Sequence, residues 1–203
     1  LDSVKDISIW LINNGSDMKF PSKKGNLKLQ KLLYYSNIIS LVTNNIELFP
    51  EPIEAWSEGP VVRSAYVQYR YFDLWNETVC NLMEETISIL KSTLNLFDNF
   101  TADELVEMTH QEEPWKVHEN SVGPYNKVII DRDSMAQYYK DFINRQLNPP
   151  REERFTIGGN TYIYEPSETE LTDEDKKNLE RDFLNVVGQE IFVYKDCGEL
   201  VAY

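Results

Sequence analysis

The sequence predicts a mainly α protein: a single helical globular domain carrying a small C-terminal α+β extension of two hairpins and a helix. Three observations lead there. Apolar residues recur at helical spacing in successive segments up to Pro149. Beyond it the period changes to short alternating runs broken by Gly158-Gly159-Asn160 and Asp196-Cys197-Gly198, the signature of hairpins. The composition, 41% apolar and 27% charged, is that of a chain with enough hydrophobic material to bury a core. A length of 203 residues suits one ordinary domain plus an appendage, so the expected division is a helical domain over 1–148 and an extension over 149–203.

Asp2 or Ser3 is placed to cap a first helix in which Val4, Ile7, Trp10 and Leu11 share a face, with Gly15 as its stop. Residues 16–26 are polar and contain Pro21 and Gly25. Residues 27–42 then spread Leu29, Leu32, Leu33, Tyr35, Ile38, Ile39 and Val42 over a wide arc, which predicts a helix buried on most sides. Pro50 and Pro52 break the pattern, residues 53–56 read as a short extended segment, and Gly59 with Pro60 reads as a turn. Val62, Tyr66, Tyr69 and Phe72 form a helical stripe; Val79, Leu82, Met83, Ile87, Leu90, Leu94 and Phe97 form a stronger one.

Thr101 and Glu104 have capping-box spacing for a helix to about His110, and Pro114 restarts the chain. After a turn at Gly123 and Pro124, Asp133 is placed to cap a helix bearing Met135, Tyr138, Tyr139, Phe142 and Ile143, which Pro149 and Pro150 end. In the tail, Phe155 and Ile157 pair with Tyr162 and Tyr164 as one hairpin. Thr172 caps a helix through Val187, and residues 191–194 with 200–203 make a second hairpin.

The formal charge is −14, from 34 acidic and 20 basic side chains. Such a field repels phosphate backbones and anionic lipid, so direct nucleic-acid binding and a membrane partner are disfavoured, whereas a basic protein partner is attracted. Lys19, Lys23, Lys24, Lys28 and Lys31 form a basic island that reads as a solvated loop more readily than as a phosphate contact. Cys80 and Cys197 make neither a disulfide framework nor a CxxC motif. With no apolar run of about 20 residues and no signal pattern over residues 1–5, the expected location is the cytoplasm.

The common motifs for acyl transfer, nucleotide binding and zinc hydrolysis are absent. The two histidines, His110 and His118, lie near Glu112, Glu113 and Glu119. Their spacing matches no standard ligand set, and Pro114 interrupts any helix through both. No catalytic residue, metal or cofactor is therefore expected; His110 reads as structural and His118 as solvated. Glu51, Glu54 and Glu58 read as ordinary carboxylates, while Asp173, Glu174 and Asp175 suit the positive end of a helix. The aromatic excess, 12 Tyr, 9 Phe and 4 Trp, is more informative, because Tyr and Trp favour interfaces. Tyr162, Tyr164, Phe192, Tyr194 and Tyr203 fall in strands too few to bury both faces. With Asp173, Glu174 and Asp175 they form the candidate partner-binding set.

One string is specific: Leu27-Lys28-Leu29-Gln30-Lys31-Leu32-Leu33-Tyr34-Tyr35, followed by Leu48, Phe49, Ile53, Glu54, Ala55, Trp56, Gly59, Pro60, Val61, Val62 and Tyr66. It resembles the signature of the Panacea-domain antitoxin family. Leu105, Thr109, His110, Pro114 and Trp115, then Ile130 and the helix over 138–142, resemble its downstream half in the same order. The likeness covers about residues 4–145; Ser57 and Glu58 depart from a commoner bulky or basic pair, and the tail has no counterpart in it. The family, often phage-associated or borne on genetic elements, implies an antitoxin that neutralises a toxin by direct binding. At least one kind of member also acts as a proteolytic adaptor.

The resemblance transfers no catalytic residues. Its signature positions Trp56, Gly59, Pro60, Tyr66, His110, Pro114 and Trp115 read as structural: the tryptophans as anchors, Gly59 as room for a tight turn, Pro60 as a bend. The competing reading is an acidic phage or mobile-element inhibitor that mimics nucleic acid and blocks a host nucleic-acid-binding enzyme.

Overall fold

The computed structural model describes residues 1–78, 81–123, 128–149 and 151–203, so the expectations placed on Val79, Cys80, Pro124 and Pro150 lie outside the described residues. The described residues divide into two compact units, 1–142 and 143–203.

In the first unit, Ser3 starts the chain's first helix by accepting the Asp6 N–H at 3.1 Å, and α1 runs Val4–Asn14. Ser22 does the same for α2 (Lys23–Asn44), taking the Gly25 N–H at 2.9 Å. That cap starts α2 earlier than its apolar pattern does, and Asn45 closes it in the left-handed region. From Gly25 to Ile38 every residue of α2 is buried, which makes it the axis of the unit; α1, α3 (Arg63–Tyr71), α4 (Glu84–Phe97) and α5 (Ala102–Gln111) pack around it. The short α6 (Glu113–Lys116) and the long α7 (Arg132–Leu147) complete the helices of this part of the chain. The Thr101–Glu104 capping box forms with both reciprocal hydrogen bonds.

Several boundaries differ from the sequence reading for local reasons. Met83 is extended, so α4 begins at Glu84 and leaves Leu82 and Met83 ahead of it. The Asp131 carboxylate accepts the Ser134 N–H at 2.8 Å and caps α7, a role the sequence assigned to Asp133. Gly59 and Pro60 are not a turn: they open the return strand β2 (Gly59–Val61) of a hairpin with β1 (Glu54–Trp56), and Ser57 and Glu58 make the turn. A two-residue strand, β3 (Val128–Ile129), adds to the other edge of β1. It is too short to leave a periodic signal.

In the second unit the two expected hairpins, β4 (Glu153–Ile157) with β5 (Asn160–Tyr164) and β6 (Glu190–Asp196) with β7 (Glu199–Ala202), fuse into one sheet. Its order is β4-β5-β6-β7. The central pair is parallel, as required when α8 (Asp173–Asp182) crosses between its strands. Both tight turns use two residues at positive φ, Gly158–Gly159 and Cys197–Gly198. Asn160 and Asp196 are thereby placed in the strands. Thr172 and Asp175 form a second capping box, and α8 stops at Asp182, short of the expected Val187. Tyr162, Leu179, Ile191 and Val193 form the core of this unit.

The architecture is mainly α with a C-terminal α+β extension, and no described helix is long and apolar enough to cross a membrane. The core of the second unit is made from its own residues. Removing residues 150–203 is therefore expected to leave a helical protein with a cooperative thermal transition by circular dichroism. An insoluble or unfolded truncation would show that the sheet completes the first core.

Candidate interaction surfaces

The signature residues hold one another through polar side chains buried on α2. Gln30 accepts the Val62 N–H at 2.9 Å and donates to Asn26 Oδ1 at 3.1 Å, while Asn26 donates to the Tyr66 carbonyl at 3.2 Å. Lys31 has no exposed surface; its Nζ donates to the carbonyls of Glu58 and Pro60. Gly59 makes that seat possible. Its φ is +98°, and a Cβ there would stand 2.4 Å from Lys31 Nζ and 2.8 Å from Thr109 Oγ1. Burial pushes the Lys31 ammonium down to about 7, against the pull of Glu58 and Glu112. The basic island is thus only partly solvated: Lys19, Lys23 and Lys24 are exposed, whereas Lys28, like Lys31, is buried, donating to the Asp98 carbonyl at 2.7 Å.

Trp115, presented by Pro114 in the first turn of α6, is buried and donates Nε1–H to the Trp56 carbonyl at 2.9 Å. The His110 ring stacks on it at 3.9 Å, and burial, aided by the Lys31 charge, lowers the imidazole pKa. Trp56 is only half-buried. It donates to Glu54 at 2.8 Å and packs on Tyr66 at 5.1 Å. His118 is partly exposed, and among the described residues no group of His, Cys, Asp and Glu is arranged to hold a metal.

Glu112 turns inward instead. Tyr35 donates to its Oε1 at 2.8 Å, while the buried hydroxyls of Tyr34 and Tyr139 and Glu112 Oε2 form no hydrogen bond among the described residues. Burial raises its pKa, with the three hydroxyls and Lys31 opposing. Nothing in the local sequence marks this cluster, because the tyrosines come from α2 and α7.

In the second unit the alternation of β6 sorts the candidate partner-binding residues. Tyr162 is 1% exposed, stacked on Phe155 at 5.2 Å and bonded to the Leu179 carbonyl, so it belongs to the core and not to a surface. Asp175 is committed as well: it caps α8 and pairs with Lys195 at 2.8 Å, which with the Thr172 contacts holds its carboxyl down to about 2. Asp173 and Glu174 stay exposed on the first turn of α8. Phe192, Tyr194 and Tyr203 are 42%, 44% and 73% exposed. Their rings pack together, Phe192 on Tyr203 at 5.9 Å and Tyr194 on Tyr203 at 6.1 Å. Beside them lies a groove of about 470 Å³ shared with Tyr164 and rimmed by Glu152, Glu165 and Glu168, with no basic side chain among its described lining. These three glutamates escaped the sequence reading because strand and loop bring them together.

Residues 29–116 match the family model described as antitoxin SocA-like, Panacea domain. That segment of the chain is similar to the Panacea domain of this antitoxin family. No curated protein and no solved structure matches the chain. The match contains Lys31, Trp56, Gly59, Pro60, Tyr66, His110, Pro114 and Trp115, so the Panacea segment coincides with the clamp that α2 makes on the hairpin and with its tryptophan brace. The aromatic groove of the tail lies outside it.

Four substitutions in the Panacea-like segment separate these contributions. Trp115→Ala is expected to cost about 3–5 kcal/mol in denaturant unfolding, and the half-buried Trp56→Ala less. Equal small losses would contradict the brace. Gly59→Ala, strained in φ and short of space, is expected to cost at least about 2 kcal/mol. Lys31 also imposes a pH dependence: the unfolded chain holds its proton up to 10.5, whereas the folded chain releases it at about 7. The unfolded state therefore binds more protons across that window, and stability rises with pH from about 7 towards 10. Lys31→Met should flatten this rise while losing about 1–3 kcal/mol from the unsatisfied carbonyls. A rise of unchanged slope in the variant would assign it to another group.

Proposed function

We propose that this chain is an antitoxin that neutralises a toxin by direct protein–protein binding, the Panacea domain serving as the constant body and the tail, residues 149–203, as the selectivity element. The chain is read as a non-catalytic cytoplasmic protein. The observation that carries the tail's part is its sheet face: Phe192, Tyr194 and Tyr203 stand beside Glu152, Glu165 and Glu168. Aromatic faces and carboxylates both attract cations, so this groove suits arginine and lysine side chains of a basic toxin. The net charge of −14 acts in the same direction at long range, steering a basic partner into encounter.

The same charge favours one alternative, an acidic inhibitor that occupies the nucleic-acid site of a host enzyme. The two differ in what competes: nucleic acid should displace the protein from such an enzyme, whereas an antitoxin should restore growth to cells expressing the toxic product of an adjacent gene. Proteolytic delivery is a separable property, read as a shortened toxin half-life when the antitoxin is present.

Replacing Phe192, Tyr194 and Tyr203 together with alanine is expected to weaken toxin binding by more than about thirtyfold while leaving the melting temperature nearly unchanged, since exposed interface aromatics carry binding more than folding. Added salt should slow association of the wild type more than it speeds dissociation. A triple variant that still neutralises at wild-type levels would remove the tail from the interface.

A further inference from the structure

We propose that α3, in the first unit, is a docking site for an acidic segment of a partner protein. The helix reads Arg63-Ser64-Ala65-Tyr66-Val67-Gln68-Tyr69-Arg70-Tyr71 and contains no acidic residue, in a chain with 34 of them. Ala65 and Tyr69 bury its inner face. Its outer face follows helical spacing: Arg63, Val67, Arg70 and Tyr71 are all exposed, and Phe72 continues it. The two arginines are seven residues apart, about 10 Å along the axis, on the same side.

Both cations are available. Neither Arg63 nor Arg70 forms an ion pair among the described residues. Arg70 is nonetheless held in place: it donates to the Tyr66 hydroxyl at 2.9 Å and lies over the Tyr66 and Tyr71 rings at 6.0 and 5.4 Å. Stacking fixes the guanidinium and leaves donors for a carboxylate. Arg, Tyr and Phe are also the side chains that dominate binding at protein interfaces.

Grooves flank the helix. One, of about 400 Å³, is lined by Pro21, Leu27, Tyr66, Tyr69 and Arg70, and by Glu58 and Lys23, which pair with each other at 2.8 Å. The other, of about 550 Å³, runs along Pro52, Arg63, Val67 and Phe72, and it also holds Glu51, Gln68 and Glu54, whose carboxylate accepts the Trp56 Nε1–H. Glu51 Oε2 and Gln68 Oε1 are buried there without a hydrogen-bond partner, two acceptors beside an arginine. An occupant that brings carboxylates to Arg63 and Arg70 and N–H donors to Glu51 and Gln68 satisfies all four groups. An acidic stretch of polypeptide has both. A nucleic acid brings a charge at every phosphate against the net charge of −14, whereas a short polypeptide can carry a few carboxylates among apolar side chains that suit Val67 and Phe72, so the balance favours protein.

This inference concerns the first unit alone and stands whether or not the tail face contacts a toxin. The test selects binders to the full chain from a displayed library of short random peptides. The selected peptides are expected to be rich in Asp and Glu, and to lose affinity by more than about tenfold on Arg63→Gln/Arg70→Gln and on Val67→Glu. Affinity should be kept on the alanine variant of Phe192, Tyr194 and Tyr203. Melting temperatures of both α3 variants should stay near wild type, because the altered side chains are exposed. Selected peptides that are basic or neutral, affinity indifferent to the α3 variants, or no selected binder at all would overturn the proposal. A short DNA duplex that binds the wild type and is lost on the arginine variant would also overturn it, by assigning the arginines to phosphate.

Discussion

The Panacea-like segment depends on a single unusual seat, the Lys31 amine buried against the carbonyls of the hairpin. A buried ammonium is costly unless its donors are satisfied, and here two backbone carbonyls from a tight turn supply the acceptors. Satisfying it fixes the turn in return, because carbonyls at Glu58 and Pro60 can converge only if the residue between them leaves room. Gly59 is therefore tied to Lys31, not to a turn for its own sake. Gln30, one position earlier on α2, anchors the next stretch of backbone at Val62 and so sets where α3 begins. Trp115 braces the hairpin's other strand through the Trp56 carbonyl. One helix thus positions a hairpin, and the hairpin positions the helix that carries the exposed arginines.

This chain of dependence explains what the sequence made legible. Local signals were strong where the cause is local: the Ser3 cap, the Thr101–Glu104 and Thr172–Asp175 capping boxes, and the Gly158–Gly159 turn all act within a few residues. The arc of leucines and tyrosines on 27–42 likewise revealed a helix buried on most sides, since periodicity depends on one element alone. What escaped was decided by other elements. Lys28 and Lys31 look like a solvated basic island until the carbonyls they meet, some 27 to 70 residues away in sequence, are known. Tyr162 and Tyr194 look alike in the sequence, both tyrosines in short tail strands, yet α8 covers the face that holds the first and not the face that holds the second. The parallel β5–β6 pairing, which turns two hairpins into one sheet, has no local signal at all.

Charge follows a similar division. The acidic excess is not spread evenly: α2 and α3 carry no acidic residue, whereas α5 and the start of α8 are rich in them. On α2, Lys28 and Lys31 are consumed by folding, as buried donors. On α3 the arginines are left to solvent, so the element that the clamp positions is also the one that opposes the mean field of the protein. The tail groove has the opposite sign, with three glutamates and no basic side chain in its described lining.

Two surfaces of opposite sign have a consequence for specificity. A uniformly acidic binder attracts every basic protein to some degree, and long-range attraction alone discriminates poorly among them. A partner that engages both proposed surfaces, with a basic patch for the tail and an acidic segment for α3, is a far rarer object, because a protein matching one sign everywhere is repelled at the other. The penalty for a mismatch is largest where a charge is already held in place, since a fixed guanidinium facing a like charge cannot swing away. Arg70 is held by its stacking on Tyr66 and Tyr71, and Tyr66 is held in turn by the hairpin that Lys31 clamps. Under the proposed docking at α3, the buried amine serves selectivity as well as folding: by fixing the hairpin it keeps the opposing charge from adapting to the wrong partner.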